Sequence, residues 1–151
     1  MDLILWRHAD AEDGVIPDGE RELTAKGIKQ AARMAKWLRA RLPEDAVVLA
    51  SPARRAQQTA RALTADFKVI EEIGTAAAAE DVLRACGWPQ AGRTRVVVGH
   101  QPTLGEVAAM LLTGTRGQWN LNKGAMIWIA HGAGGGLGRP SLRAAISPDL
   151  L

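Results

Sequence analysis

Apolar residues along this chain fall into short blocks separated by longer stretches where they recur every third or fourth position. The blocks at 3–7, 46–50 and 94–99 are too short for helices and predict strands. Residues 68–72 predict a further strand. After the first block, Ile28, Ala31, Ala35, Leu38 and Leu42 are spaced as the buried stripe of a helix that Thr24 opens and Pro43 stops. Ser51 and Pro52 read as the N-cap and first-turn proline of a second helix, which carries Ala56, Ala60 and Leu63 inward. A third helix at 76–86 ends at Gly87. A fourth runs from Pro102 to Leu112 and ends at Gly114. Residues 125–130 and 142–146 close the chain as a hairpin, with the glycine-rich stretch 132–138 as its turn.

Strand–helix alternation of this kind gives a mostly parallel sheet with helices on both faces, joined by right-handed crossovers. The hairpin adds at least one antiparallel pairing. The expectation is a three-layer α/β sandwich forming a single domain over residues 1–151.

Composition narrows the function classes. Hydrophobic residues make up 47%, enough to fill a core, yet no apolar run approaches the ~20 residues of a membrane-spanning helix. Cys86 is the only cysteine, so neither an intrachain disulfide nor a cysteine-based zinc cluster can form. Its place in a helical pattern predicts core packing. The first residues read as a strand and not as an export signal, so a cytoplasmic location and no membrane association are expected. The net charge of +3 comes without a run of five basic residues, so no nucleic acid is expected as a partner. The arginines suit an anionic substrate or an acidic partner face.

In open α/β sheets, ligands bind outside the carboxyl ends of the strands. Arg7 ends the first block and His8 follows it. Ser51 follows the second, with Arg55 one helical turn on. His100 follows the strand at 94–99. Two of the chain's three histidines therefore stand at one sheet edge with two arginines. Arginine forks match phosphoryl oxygens bidentately, a neutral imidazole attacks phosphorus, and a second, protonated imidazole can donate to an oxygen whose charge grows. That set describes phosphoryl transfer through a phosphohistidine, with no cofactor. Arginines beside both rings would repel a metal ion, so none is expected.

These residues also match a known pattern. The segment Leu5-Trp6-Arg7-His8-Ala9 resembles the Arg-His-Gly signature of the histidine phosphatase (phosphoglycerate mutase-like) superfamily. Ser51-Pro52-Ala53-Arg54-Arg55-Ala56-Gln57-Gln58-Thr59 resembles its Ser-Pro-x-x-Arg-Ala-x-x-Thr segment, and Val97-Val98-Gly99-His100-Gln101-Pro102 the segment holding its second histidine. The short chain and Glu20-Arg21-x-Leu23-Thr24-x-x-Gly27 look most like its SixA-type phosphohistidine phosphatase branch. The resemblance implies a phosphoglycerate mutase-like fold. It implies His8 as nucleophile, Arg7 and Arg55 as phosphoryl clamps, and His100 as stabiliser of the transferring group. Arg54 is then a solvated neighbour.

Ala9 replaces the signature glycine, which predicts a narrower space beside His8, and Gly14 stands where many members of the family carry a polar side chain touching phosphate, which predicts a site one hydrogen-bond donor short. No carboxylate stands out as an acid for an alcohol leaving group. Asp10, Glu72 and Glu80 are all conceivable, with Asp10 otherwise a solvated group at the mouth. That absence, with the short stretch between 73 and 94, favours a phosphohistidine on another protein, such as a phosphotransfer domain, as the substrate. A small phosphate ester is the alternative, and a catalytically silent phospho-binding module a further one. His131 is expected to be structural or exposed. Lys123 and Gly124, just before a strand, are placed to approach the pocket but receive no role. The sequence does not specify an oligomeric state.

Overall fold

In the computed structural model, residues 1–14, 16–132 and 138–151 are described. Strand β1 (Asp2–Arg7) alternates between two destinations, as a strand buried on both faces must. Leu3 and Leu5 pack on one face of the sheet, and Ile4 and Trp6 on the other. Strand β4 (Arg95–Gly99) does the same, with Val97 on the first face and Val96 and Val98 on the second. Strands β2 (Val47–Ala50) and β3 (Phe67–Val69) complete the parallel part, and β5 (Met126–Ala130) and β6 (Ser141–Ile146) pair antiparallel. The order across the six-stranded sheet is β3-β2-β4-β1-β5-β6. β1 runs parallel to β4 and antiparallel to β5, so the sheet is the mixed, mostly parallel one expected.

Helices α1 (Ala25–Arg39) and α2 (Arg54–Leu63) cover the Ile4–Trp6 face through Met34, Ala35, Leu38, Ala56 and Ala60. Helices α3 (Ala79–Cys86) and α4 (Thr103–Thr113) cover the other through Val82, Cys86, Leu104, Val107 and Ala108. Three layers result, and Cys86 is a buried core residue. No helix among the described residues is long and apolar enough to cross a membrane.

Several boundaries differ from the sequence expectations. Thr24 caps α1 as predicted, its hydroxyl accepting the Gly27 N–H, but α1 stops at Arg39, short of Leu42. The stripe it buries is Gly27, Ala31, Met34, Ala35 and Leu38, whereas Ile28 is 59% exposed. One residue is about 100° of helical rotation, enough to move a side chain from the core face to solvent. Helix α2 begins at Arg54 with Ala53 at its N-cap, two residues after the serine expected there. The third strand is shorter than predicted and runs into a 3-10 turn at Glu71–Ile73. Gly87 and Gly114 end α3 and α4 in left-handed conformations, φ 71° and 72°, as glycine permits. The predicted turn of the last hairpin lies, at 133–137, outside the described residues.

Candidate active site

The carboxyl ends of β1, β2 and β4 lie side by side, because these strands are neighbours and parallel. Each delivers its next residue to the same place. His8 is pinned from both sides: its N–H donates to the Gly99 carbonyl and its carbonyl accepts the Gly124 N–H, both at 3.0 Å. A cup of about 380 Å³ opens there, and Arg7, His8, Arg55 and His100 all face it. The His8 and His100 ring centroids are 5.3 Å apart. The four residues singled out from the sequence thus converge.

Hydrogen bonding assigns the tautomer of His8. Nδ1 lies 2.8 Å from the Ala9 carbonyl, which can only accept, so Nδ1 carries the proton. Nε2 keeps its lone pair and receives the Arg55 Nε–H at 3.3 Å. Desolvation, followed by the Arg55, Arg7 and Arg21 charges, pushes the His8 pKa down to about 4 against the pull of the Ala9 contact. His100 falls to about 3, first through desolvation and then through His8 and Arg55. Both rings are neutral at physiological pH, so the surroundings do not hold His100 in the protonated form expected.

Arg55 is buried along its whole length, and three of its five N–H donors have protein partners. Beyond its contact to His8, it donates to the Asp18 carbonyl at 2.7 Å and to Asp18 Oδ2 at 3.2 Å. Arg7 donates to the Leu121 carbonyl at 2.8 Å, while its buried Nε has no partner among the described residues. Arg54, one residue from Arg55, is 60% exposed and pairs with Glu22.

Other residues at the cup were not assigned from the sequence. Arg21 and Lys123 add two more cations to its wall, and Asp18 and Asp13 two carboxylates. Arg21, foremost, and then Arg55 hold the Asp18 carboxyl below its ordinary pKa. Thr59 ties α2 to the His8 loop, accepting the Ala9 N–H at 3.1 Å while donating to the Arg55 carbonyl. Its place as the threonine of the matched segment, four residues after Arg55 and so on the same helix face, was the available signal. Ser51 is fully buried, and its Oγ lies 2.7 Å from His100 Nε2.

Three expectations change. Ala9 does not crowd the cup: its methyl packs with Leu23 and Ala31 in a small buried cluster. Asp10 is not a free carboxylate but accepts from Lys123 and Thr24, which lower its pKa. Glu80 pairs with Arg116 away from the cup, and Glu72 lines a wider groove of about 620 Å³ that adjoins the cup at Asp18 and Thr75. Gly14 lies outside the cup wall. His131 sits edge-on to Trp88, its backbone paired with Met1.

Comparison with known proteins agrees with this picture. The family model of the histidine phosphatase superfamily (branch 1) matches residues 3–80. An uncharacterised protein of Picosynechococcus is 34% identical over 145 residues, covering 88% of this chain and 87% of its own. The phosphohistidine phosphatase SixA of Escherichia coli is 35% identical over 74 residues, covering 49% of this chain and 40% of its own. The solved structure of the protein histidine phosphatase SixA complexed with tungstate has the same fold, with TM-score 0.84 at 24% identity and 99% of both chains covered.

Proposed function

This chain belongs to the histidine phosphatase superfamily, branch 1, and on that premise we propose that it removes phosphoryl groups from phosphohistidine on another protein, by way of a phosphohistidine on His8. The observation that carries the reading is the state of the His8 ring. Nδ1–H is spent on the Ala9 carbonyl, and a lone pair on Nε2 stands beside the guanidinium of Arg55.

The chemistry follows from those atoms. The Nε2 lone pair forms a bond to phosphorus as the bond from phosphorus to the partner's imidazole breaks. That imidazole, protonated on its far nitrogen, takes the bonding pair and leaves neutral. Arg7 and Arg55 hold the phosphoryl oxygens, and His100 faces the charge that grows on them. The His8 ring then carries phosphorus on Nε2 and a proton on Nδ1. Water bonds to phosphorus, the pair returns to Nε2, the ring leaves as the neutral tautomer it started from, and both water protons depart with the phosphate as dihydrogen phosphate. The Ala9 carbonyl supports the cationic intermediate throughout.

A nitrogen leaving group fits the carboxylates at the cup. Asp18, pinned between Arg21 and Arg55, is held ionised and is a poor proton donor to an alcohol. Similarity to proteins named phosphohistidine phosphatase points the same way.

The test is to incubate the protein with a phosphohistidine-bearing phosphotransfer domain and follow phosphate release. Release is expected, with acid-labile phosphate trapped on His8 and none in His8→Ala. No release by the wild type, or equal release by His8→Ala, overturns the reading. Faster turnover of a small phosphate ester than of the phosphoprotein assigns the cup to the ester instead.

A further inference from the structure

His100 follows β4 into the cup, and its two ring nitrogens meet different neighbours. Nε2 faces the Ser51 hydroxyl at 2.7 Å. Nδ1 has no hydrogen-bond partner among the described residues and is not fully enclosed, and since His100 lines the cup with Nε2 engaged by Ser51, Nδ1 is the ring nitrogen left to face it.

The direction of the hydrogen bond between Ser51 and His100 decides what Nδ1 presents. Ser51 is 0% exposed, so no solvent reaches its hydroxyl. A serine oxygen has two lone pairs and one proton. One lone pair accepts the Ala53 N–H, at 3.2 Å, where the chain enters α2. No other acceptor for the hydroxyl proton stands within reach among the described residues, which leaves Nε2. The opposite arrangement, a proton on Nε2 aimed at Oγ, strands the hydroxyl proton in a buried site. It also turns a bare Nδ1 lone pair toward an anion.

We propose that Ser51 is a positioning residue: by donating to Nε2 it fixes His100 as the Nδ1–H tautomer, so that the neutral ring turns a proton toward the phosphoryl oxygens. The proposal rests on the phosphoryl-transfer reading of the cup. It gives the two histidines one tautomer and two roles. His8 buries Nδ1–H on the Ala9 carbonyl and offers a lone pair, whereas His100 buries its lone pair on Ser51 and offers Nδ1–H.

Nitrogen-15 spectra of the histidine side chains at neutral pH test this without turnover. The expected wild-type result is a protonated Nδ1 and an unprotonated, hydrogen-bonded Nε2 at His100. Added orthovanadate, a phosphoryl mimic, should shift that Nδ1 proton. A wild-type ring protonated on Nε2, or an Nδ1 proton that saturating vanadate leaves unmoved, overturns the proposal. Ser51→Ala should convert His100 to a tautomer mixture and lower kcat by about 10- to 100-fold with a smaller change in KM, less than the roughly 100- to 1000-fold of losing a transition-state donor outright, because part of the mixture keeps Nδ1–H. Ser51→Thr, which keeps the hydroxyl, should restore both the spectrum and most of the rate. A folded Ser51→Ala with wild-type kcat and an unchanged tautomer also overturns it. Should Ser51→Ala fail to fold, the wild-type spectrum and Ser51→Thr decide. A protein with the expected tautomer that releases phosphate from no substrate contradicts the phosphatase reading and leaves the Ser51 assignment standing.

Discussion

At the residue scale, the two histidines of the cup are held neutral by burial and by cations, and this has a consequence for stability. An unfolded histidine titrates near pH 6.5. In the fold, His8 takes its proton only at about 4 and His100 at about 3. Between pH 6.5 and those values the unfolded chain binds protons that the folded chain refuses. Stability is therefore lost as pH falls through the window, and is fully present above it. Each pH unit over which one ring differs counts for about 1.4 kcal/mol, so the two rings together amount to several kcal/mol. The paired carboxylates Asp10 and Asp18 have lowered pKa values and add their own loss only at or below the ordinary carboxylate range. Melting followed by circular dichroism from pH 8 to 4.5 should give a flat Tm down to about 6.5 and a steady fall beneath it. His8→Ala should roughly halve that fall, His100 supplying the rest. A wild-type Tm independent of pH over this range would mean that the rings are not buried in neutral form.

At the scale of elements, the cup depends on how closely α1 approaches the loop after β1. A Cβ built on Gly27 would lie 2.0 Å from the Asp10 carbonyl oxygen and 2.9 Å from its carbon. Gly to Ala inside a helix ordinarily stabilises by about 1 kcal/mol. Here the added methyl meets backbone, which cannot swing aside, so the sign reverses. Gly27→Ala should destabilise by roughly 1–3 kcal/mol or more, the range for forcing atoms into packed space. It should also slow turnover, because Asp10 lies two residues from His8. Gly19→Ala, with nothing within 4 Å of the new methyl, is the stability comparison. Equal urea midpoints for the two variants would refute the close-approach argument. The same contact shows where the sequence is legible and where it stops. The strand ends carrying His8 and His100 could be read because short apolar blocks and a parallel sheet put them on one edge. Arg55 could be read from its offset to Ser51. The Arg55–Asp18 pair and the link between Asp10 and Lys123 could not, since they join residues 37 and 113 positions apart through tertiary distances alone. Ser51 illustrates a different failure. Its serine–proline signature suggests a helix cap, but the buried imidazole nearby is a stronger claimant for the hydroxyl, and α2 starts later with no side-chain cap.

At the scale of the whole molecule, the cup is assembled from the ends of three neighbouring strands whose residues lie up to about 90 positions apart, so it exists only in the folded chain. A ligand of that cup must therefore stabilise the entire fold, by an amount set by its concentration over its dissociation constant. At a hundredfold excess the gain is about 2.7 kcal/mol, which for a domain of this size raises Tm by roughly 5–10 °C. Orthovanadate or tungstate, oxyanions of phosphoryl shape and charge, should produce this rise. Arg55→Ala should lose most of it, because Arg55 is the buried guanidinium beside His8 Nε2. Arg143→Ala should keep all of it, since Arg143 pairs with Asp2 at the opposite end of β1. This ordering separates a built oxyanion site from general attraction to a chain of net charge +3, for each variant removes one positive charge. Equal rises in both variants would assign the effect to net charge. No rise in the wild type at saturating oxyanion would mean that the cup, although assembled, does not take the group on which the proposed chemistry depends.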